Sequence, residues 1–127
     1  MAYTYDDGNI FARILRGELP NQTVLESEHA LAFRDIAPRA PIHVLVIPKG
    51  PYVSFDHFMA GATQAEISGF FRAVRSVSET LGLEPGDGGN GYRLIANTGT
   101  DGVQEVQHFH VHVLAGKRLG PMVSPDV

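Results

Sequence analysis

The 127-residue sequence contains no cysteine and no tryptophan. Without a thiol there can be no disulfide, no thiolate zinc site and no cysteine nucleophile. Positive charge is also scarce: 10 Lys and Arg against 14 Asp and Glu leave a net charge of -4, with a pI near 5.8. Long nucleic acids are usually bound through a basic stripe that releases phosphate counterions, so that class is set aside, while a single nucleotide still fits a local positive pocket. No apolar run approaches the length of a bilayer span, and the first eight residues lack the basic start and apolar stretch of a secretory signal. The expectation is a cytoplasmic protein with no membrane or nucleic-acid-polymer partner.

What is present is ordinary for a globular chain, 43% hydrophobic and 19% charged, and long enough for one domain over residues 1–127 with its own core. Asp7, Gly8 and Asn9 precede Ile10, Phe11, Ile14 and Leu15, which mark one face of a short helix capped by Asn9 or Asp7 and ended by Gly17 and Pro20. β-Branched and apolar residues over 23–36, split by Ser27-Glu28-His29, predict a hairpin. Pro38 and Pro41 make a rigid connector to a buried strand that opens at His43 and stops at Pro48. Thr63-Gln64-Ala65-Glu66 has the form of a capping box, and Ile67, Phe70, Phe71, Val74, Val77 and Leu81 repeat at helical spacing up to Gly82. Residues 92–97 and 106–114 read as strands. Short turns between strands, with helices kept to one side, fit an α+β domain on an antiparallel sheet.

Three of the six histidines, His108, His110 and His112, alternate with Phe109, Val111 and Val113. On a strand this alternation puts the three imidazoles on one surface and the apolar side chains on the other, whereas a helix would scatter them. Desolvating three imidazoles costs free energy that a chance cluster would leave unmatched, so the run points to chemistry. Two chemistries fit. Neutral imidazoles can ligate a metal such as zinc, joined here by His43, but Glu105 is the only acidic neighbour in the chain to orient them. Imidazole can also act as a nucleophile and an acid or base near neutral pH. Gly99, Gly102 and the amides around Val103 and Gln104 read as a nest for phosphate oxygens, which favours the metal-free alternative. The string from Gly86 to Gly91 matches G-x-G-x-x-G, but it follows a helix and precedes a strand, the reverse of a dinucleotide site, and reads as a flexible connector.

The run from His108 to Leu114 is accompanied by ordered blocks: Ile10-Phe11 with Ile14, Phe33-Arg34-Asp35-Ile36 leading through Pro38, Ala40 and Pro41 to His43, then Val46-Ile47-Pro48-Lys49, and Gly91-Tyr92-Arg93 followed by Asn97. Together they resemble the histidine triad (HIT) superfamily, and within it the Hint branch of nucleoside phosphoramidases, over residues 9–116, with 117–127 as a tail. The resemblance implies an antiparallel meander sheet of about five strands with two helices. It also implies a homodimer whose sheets join into one, with the Phe70, Val74 and Val77 helix and the strand over 92–97 at the contact.

For the chemistry, the resemblance implies that His110 attacks the α-phosphorus of a purine nucleoside phosphoramidate, forming a covalent nucleotidyl-imidazole that water resolves to a nucleoside monophosphate such as AMP. His112 would contact a non-bridging oxygen, and His108 with His43 would complete the polar network. Amides near Gln104, Glu105 and Val106, with the Asn97 and Gln104 side chains, would hold the phosphate. Asp35 would bind the ribose hydroxyls, and Phe11, Ile14, Phe33 and Ile36 would sandwich the base. No cofactor and no metal are implied. Asn9 and Ala12 stand where many bacterial relatives carry a Cys-x-x-Cys zinc clip, and Glu105 stands where animal Hint proteins carry serine. The tail lacks the tryptophan-containing end of those proteins. A dinucleoside polyphosphate hydrolase of the Fhit-like branch and a non-enzymatic purine nucleotide-binding scaffold are the alternatives.

Overall fold

A computed structural model describes residues 2–125 of the chain. Five antiparallel strands, β1 (Thr23–Glu26), β2 (Ala30–Arg34), β3 (Ile42–Pro48), β4 (Arg93–Ile95) and β5 (Val111–Ala115), form one sheet in the order β1-β2-β3-β5-β4. The expected helices are present as α1 (Ile10–Leu15) and α3 (Gln64–Thr80), and a third, α2 (Phe55–Gly61), lies between β3 and α3. Asn9 caps α1, its side chain accepting from the amides of Phe11 and Ala12. The Thr63/Glu66 capping box forms in full at α3, and Gly82 follows the helix at a φ of 70°.

The strand period of two sorts the sheet into unlike faces. Ala30, Ala32, Val44, Val46, Val111 and Val113 point to one side, where they pack with Phe58 of α2, Phe70, Val74 and Val77 of α3, and Phe109. Leu31, Phe33, Leu45 and Ile47 point to the other, where Phe11 of α1 covers part of the surface. The face that α1 leaves open is the one that carries the histidines.

Phe70, Val74 and Val77 of α3 face the core, while Phe71, Tyr92 and Leu94 are left exposed on α3 and around edge strand β4. Two expectations are corrected. The last strand begins at Val111 rather than 106, because the chain ahead of it bonds elsewhere: the Phe109 amide donates to the Tyr52 carbonyl at 2.7 Å. The glycine-rich connector is a set of defined turns, with a 3-10 turn at Pro85–Asp87, Gly88 and Gly91 at φ of 87° and 95°, and the Gly89, Gly88 and Gly91 amides all bonded to carbonyls between Leu83 and Pro85.

Candidate active site

β3 brings in His43 and β5 brings in His112. In the antiparallel register Leu45 faces His112 and His43 faces Leu114, which makes the two histidines diagonal neighbours on one face. His43 Nε2 lies 2.9 Å from His112 Nδ1. His110 precedes β5, with its ring 5.0 Å from that of His112 and edge-on to Phe11 at the same centroid distance. His108 is fully buried deeper in the segment.

The partners of each ring assign its protons. The Arg39 amide donates to His43 Nδ1 at 3.1 Å, so His43 carries its hydrogen on Nε2 and donates it to His112 Nδ1. His112 is left with Nε2 as a donor. His110 Nδ1 is 2.8 Å from the His108 carbonyl, which can only accept, so His110 Nε2 keeps a free lone pair. His108 Nε2 donates to the Pro48 carbonyl at 2.8 Å, and its Nδ1 accepts from the Tyr5 hydroxyl at 2.6 Å. Four neutral rings in four fixed tautomers result.

Burial keeps them neutral. It is the largest influence on every one, pushing His108 and His112 down to about 4 and lowering His43 and His110. For His108 and His110 the bonds to backbone carbonyls oppose that shift. At neutral pH the His110 lone pair is therefore present without prior deprotonation.

The polar network differs from the expected one. His108 does not join His43; it belongs to a separate chain running from Tyr5 to Pro48, with His110 held to its carbonyl. The phosphate nest is also rearranged. The amides of Val103 and Gln104 are used inside the loop, donating to Thr100 and Gly99, and the Gly99 amide donates to Gln104 Oε1. The Gln104 side-chain nitrogen donates to the carbonyls of Val53 and Val106 at 2.6 and 3.0 Å, so this residue clamps the loop. Among the described residues, the amides of Glu105 and Val106 and the side chain of Asn97 have no recorded hydrogen-bond partner and stay available to a ligand.

Other expected residues fall on both sides of the rings. Phe11 and Phe33 are buried edge-to-face at 5.6 Å, with Ile14 and Val106 packed against them. Ile36 is 99% exposed and touches no core. Asp35 is set differently from a free ribose acceptor: Oδ1 accepts from the Ala37 amide, and Oδ2 lies 3.4 Å from His43 Nε2. Glu105 reaches Arg39 Nη2 at 3.7 Å between two exposed side chains. Sequence reasoning missed Tyr5, the Arg39 amide and the Pro48 carbonyl. The backbone groups have no side-chain signal, and Tyr5 lies 103 positions from its partner.

Asp35, His43 and His112 place one ligand atom each within 4.8 Å of one another, a set that could hold a metal ion. It supplies the carboxylate that the sequence had offered only at Glu105. The 2.9 Å spacing of the two ring nitrogens is nonetheless that of a hydrogen bond with its proton in place.

An α+β domain with a meander-like sheet, one face packed under helices and the other lined by histidines, is the class that fold and site define. The HIT domain family matches residues 16–119, and the chain belongs to that family. It is 60% identical over 125 residues to a 13.2 kDa HIT-like protein of Azospirillum brasilense, covering 98% of each chain. It is 38% identical over 115 residues to the purine nucleoside phosphoramidase of Escherichia coli strain K12, covering 91% of this chain and 92% of that one. The solved structure of a histidine triad protein from Clostridium difficile superposes with a TM-score of 0.81 at 35% identity, covering 94% of this chain and 100% of that one. No helix among the described residues is long and apolar enough to cross a membrane.

Proposed function

We propose that this chain is a metal-independent hydrolase that cleaves the phosphorus–nitrogen bond of purine nucleoside phosphoramidates through a nucleotidyl-His110 intermediate. The observation that carries the reading is the 2.8 Å bond from His110 Nδ1 to the His108 carbonyl, which commits one ring nitrogen as donor and leaves Nε2 as a nucleophile. The phosphoramidase named in Escherichia coli supports the substrate class.

In the first step His110 Nε2 forms a bond to the α-phosphorus. The phosphorus–nitrogen bond breaks, and the amine departs with that electron pair and a proton from solvent. In the second, water attacks phosphorus, gives up a proton to solvent and returns the electron pair to Nε2, releasing the nucleoside monophosphate. His112 Nε2–H and the Glu105 and Val106 amides are the donors for the non-bridging oxygens as charge builds there. Phe11, Ile14, Phe33 and exposed Ile36 form the side on which a purine would sit, with Asp35 beside the ribose. Edge strand β4, with Leu94 half exposed, is where a second copy would extend the sheet into a homodimer.

Mass spectrometry of protein quenched during turnover tests the reading. A nucleoside monophosphate adduct on His110, absent from His110→Ala, is expected. Turnover of a phosphoramidate by His110→Ala at the unsubstituted rate would refute it, and a faster rate on a diadenosine polyphosphate would reassign the substrate.

A further inference from the structure

The segment ahead of α1 crosses the molecule and is pinned at two points. The Tyr3 hydroxyl donates to the Asp56 carboxylate at the start of α2, with Oδ1 and Oδ2 at 2.9 and 2.7 Å, and its ring stacks on His57 at 4.9 Å. Two residues later the Tyr5 hydroxyl meets His108 Nδ1 at 2.6 Å, its ring edge-on to the imidazole at 5.6 Å. A turn at Asp6, whose carboxylate accepts from the Gly8 amide, then delivers the chain to the Asn9 cap.

His108 needs this contact. It is fully buried, its Nε2 hydrogen is taken by the Pro48 carbonyl, and the Tyr5 hydroxyl donates to its other nitrogen. A buried imidazole nitrogen left without a donor costs free energy that a flipped ring, a changed tautomer or an admitted water would relieve. A flipped ring or changed tautomer would break the bond to the Pro48 carbonyl and disturb the segment that carries the His108 carbonyl. That carbonyl is the acceptor that sets the His110 tautomer. The path from a tyrosine hydroxyl to the nucleophile therefore runs through one ring and one peptide group.

We infer that Tyr5 is a positioning residue of the active site, a hydroxyl that locks His108 in its Nε2–H tautomer and through the His108 carbonyl aims the His110 lone pair. Its catalytic consequence rests on the function proposed above; the coupling between the rings does not. The phenol suits this role because burial raises its pKa, keeping it a donor across the neutral range.

The test combines ring-nitrogen NMR with steady-state kinetics on the full chain. In the unsubstituted protein His108 shows a single tautomer protonated at Nε2, and His110 a single tautomer protonated at Nδ1. In Tyr5→Phe, which keeps the ring and removes the hydroxyl, the His108 signals move toward a mixed state and the His110 signals shift with them. kcat on a phosphoramidate falls about tenfold while KM stays within about twofold, because the group lost touches no substrate. Tyr5→Phe with unchanged His108 and His110 signals would overturn the inference, as would unchanged kcat in a protein that turns over. If Tyr5→Phe does not fold, the unsubstituted protein still decides: His108 protonated at Nδ1 excludes the Tyr5 bond as described. A protein that turns over no phosphoramidate, yet whose rings respond to Tyr5→Phe, would sink the proposed substrate and leave the coupling standing.

Discussion

His43 Nε2 donates to His112 Nδ1 across 2.9 Å, and that bond decides which nitrogen of His112 can donate to a bound phosphate. The Arg39 amide on the far side of His43 fixes the direction of the donation. Replacing His43 with phenylalanine keeps a planar ring but removes both bonds. kcat is expected to fall by about 10²-fold, within the range for loss of one positioned acid–base or donor group. The orphaned Arg39 amide and His112 nitrogen should cost about 1–3 kcal/mol of stability for each group that stays dry. Steady-state kinetics and denaturant unfolding check both. An unchanged kcat would show that the His112 tautomer is free of His43.

The depressed histidine pKa values set the acid limit of stability. A neutral buried histidine binds no proton in the fold, while its unfolded counterpart takes one up below about 6.5. Proton uptake then favours unfolding. The contribution of His108 and His112 is thus complete above pH 6.5 and is lost as pH falls toward their folded values of about 4. Thermal melts should hold steady from pH 7.5 to 6.5 and decline between 6.5 and 4. His108→Gln should flatten part of that decline by removing one titrating group. A Tm that rises as pH falls through this window would contradict the neutral assignments.

The faces of the sheet were legible because alternation is a local property: Phe109, Val111 and Val113 went to the core and the histidines to the opposite side, as the period of two requires. The caps at Asn9 and Thr63 were legible for the same reason. What depended on distant partners was not. The start of β5 is displaced to Val111 by a bond from Phe109 to Tyr52, and His108 is oriented by Tyr5, at the other end of the sequence. α2 did carry a local sign, Ser54 accepting from the His57 amide ahead of Phe58, but at seven residues the pattern was too short to stand out. The expectation that Gln104 holds phosphate with its side chain ran into a competing use, since that amide closes its own loop onto Val53.

That loop contains Val103, the one non-glycine at positive φ, 56°, among the described residues. A β-branched side chain is strained there, and Val103 is 69% exposed, so burial of its side chain offers little compensation. Val103→Gly should raise stability by up to about 1 kcal/mol, with relief of strain partly offset by the greater freedom of an unfolded glycine. Its neighbour behaves oppositely. A Cβ at Gly102 would sit 2.5 Å from the Thr98 carbonyl oxygen, so Gly102→Ala should destabilise the loop and weaken phosphate binding. Paired Tm and inhibition measurements with a nucleoside monophosphate separate the two effects. Stabilisation by Gly102→Ala would show that the Thr98 approach is looser than described.

Metal sensitivity follows from the atoms of Asp35, His43 and His112, which cluster within 4.8 Å. For a divalent ion to take both ring nitrogens, the proton shared between them must leave. His43 would then have to carry its hydrogen on Nδ1, directed at the Arg39 amide that now donates there. The bound state loses that backbone bond and sets two donors against each other, which weakens the site. It would also hold His112 away from phosphate. Protein dialysed against chelator is therefore expected to keep its full rate, and added Zn²⁺ to inhibit rather than activate, with the inhibition lost in His43→Phe. Turnover assays paired with elemental analysis of the same samples decide the matter. Activity that disappears with chelator and returns with one equivalent of Zn²⁺ would replace the metal-independent mechanism with a metal-dependent one.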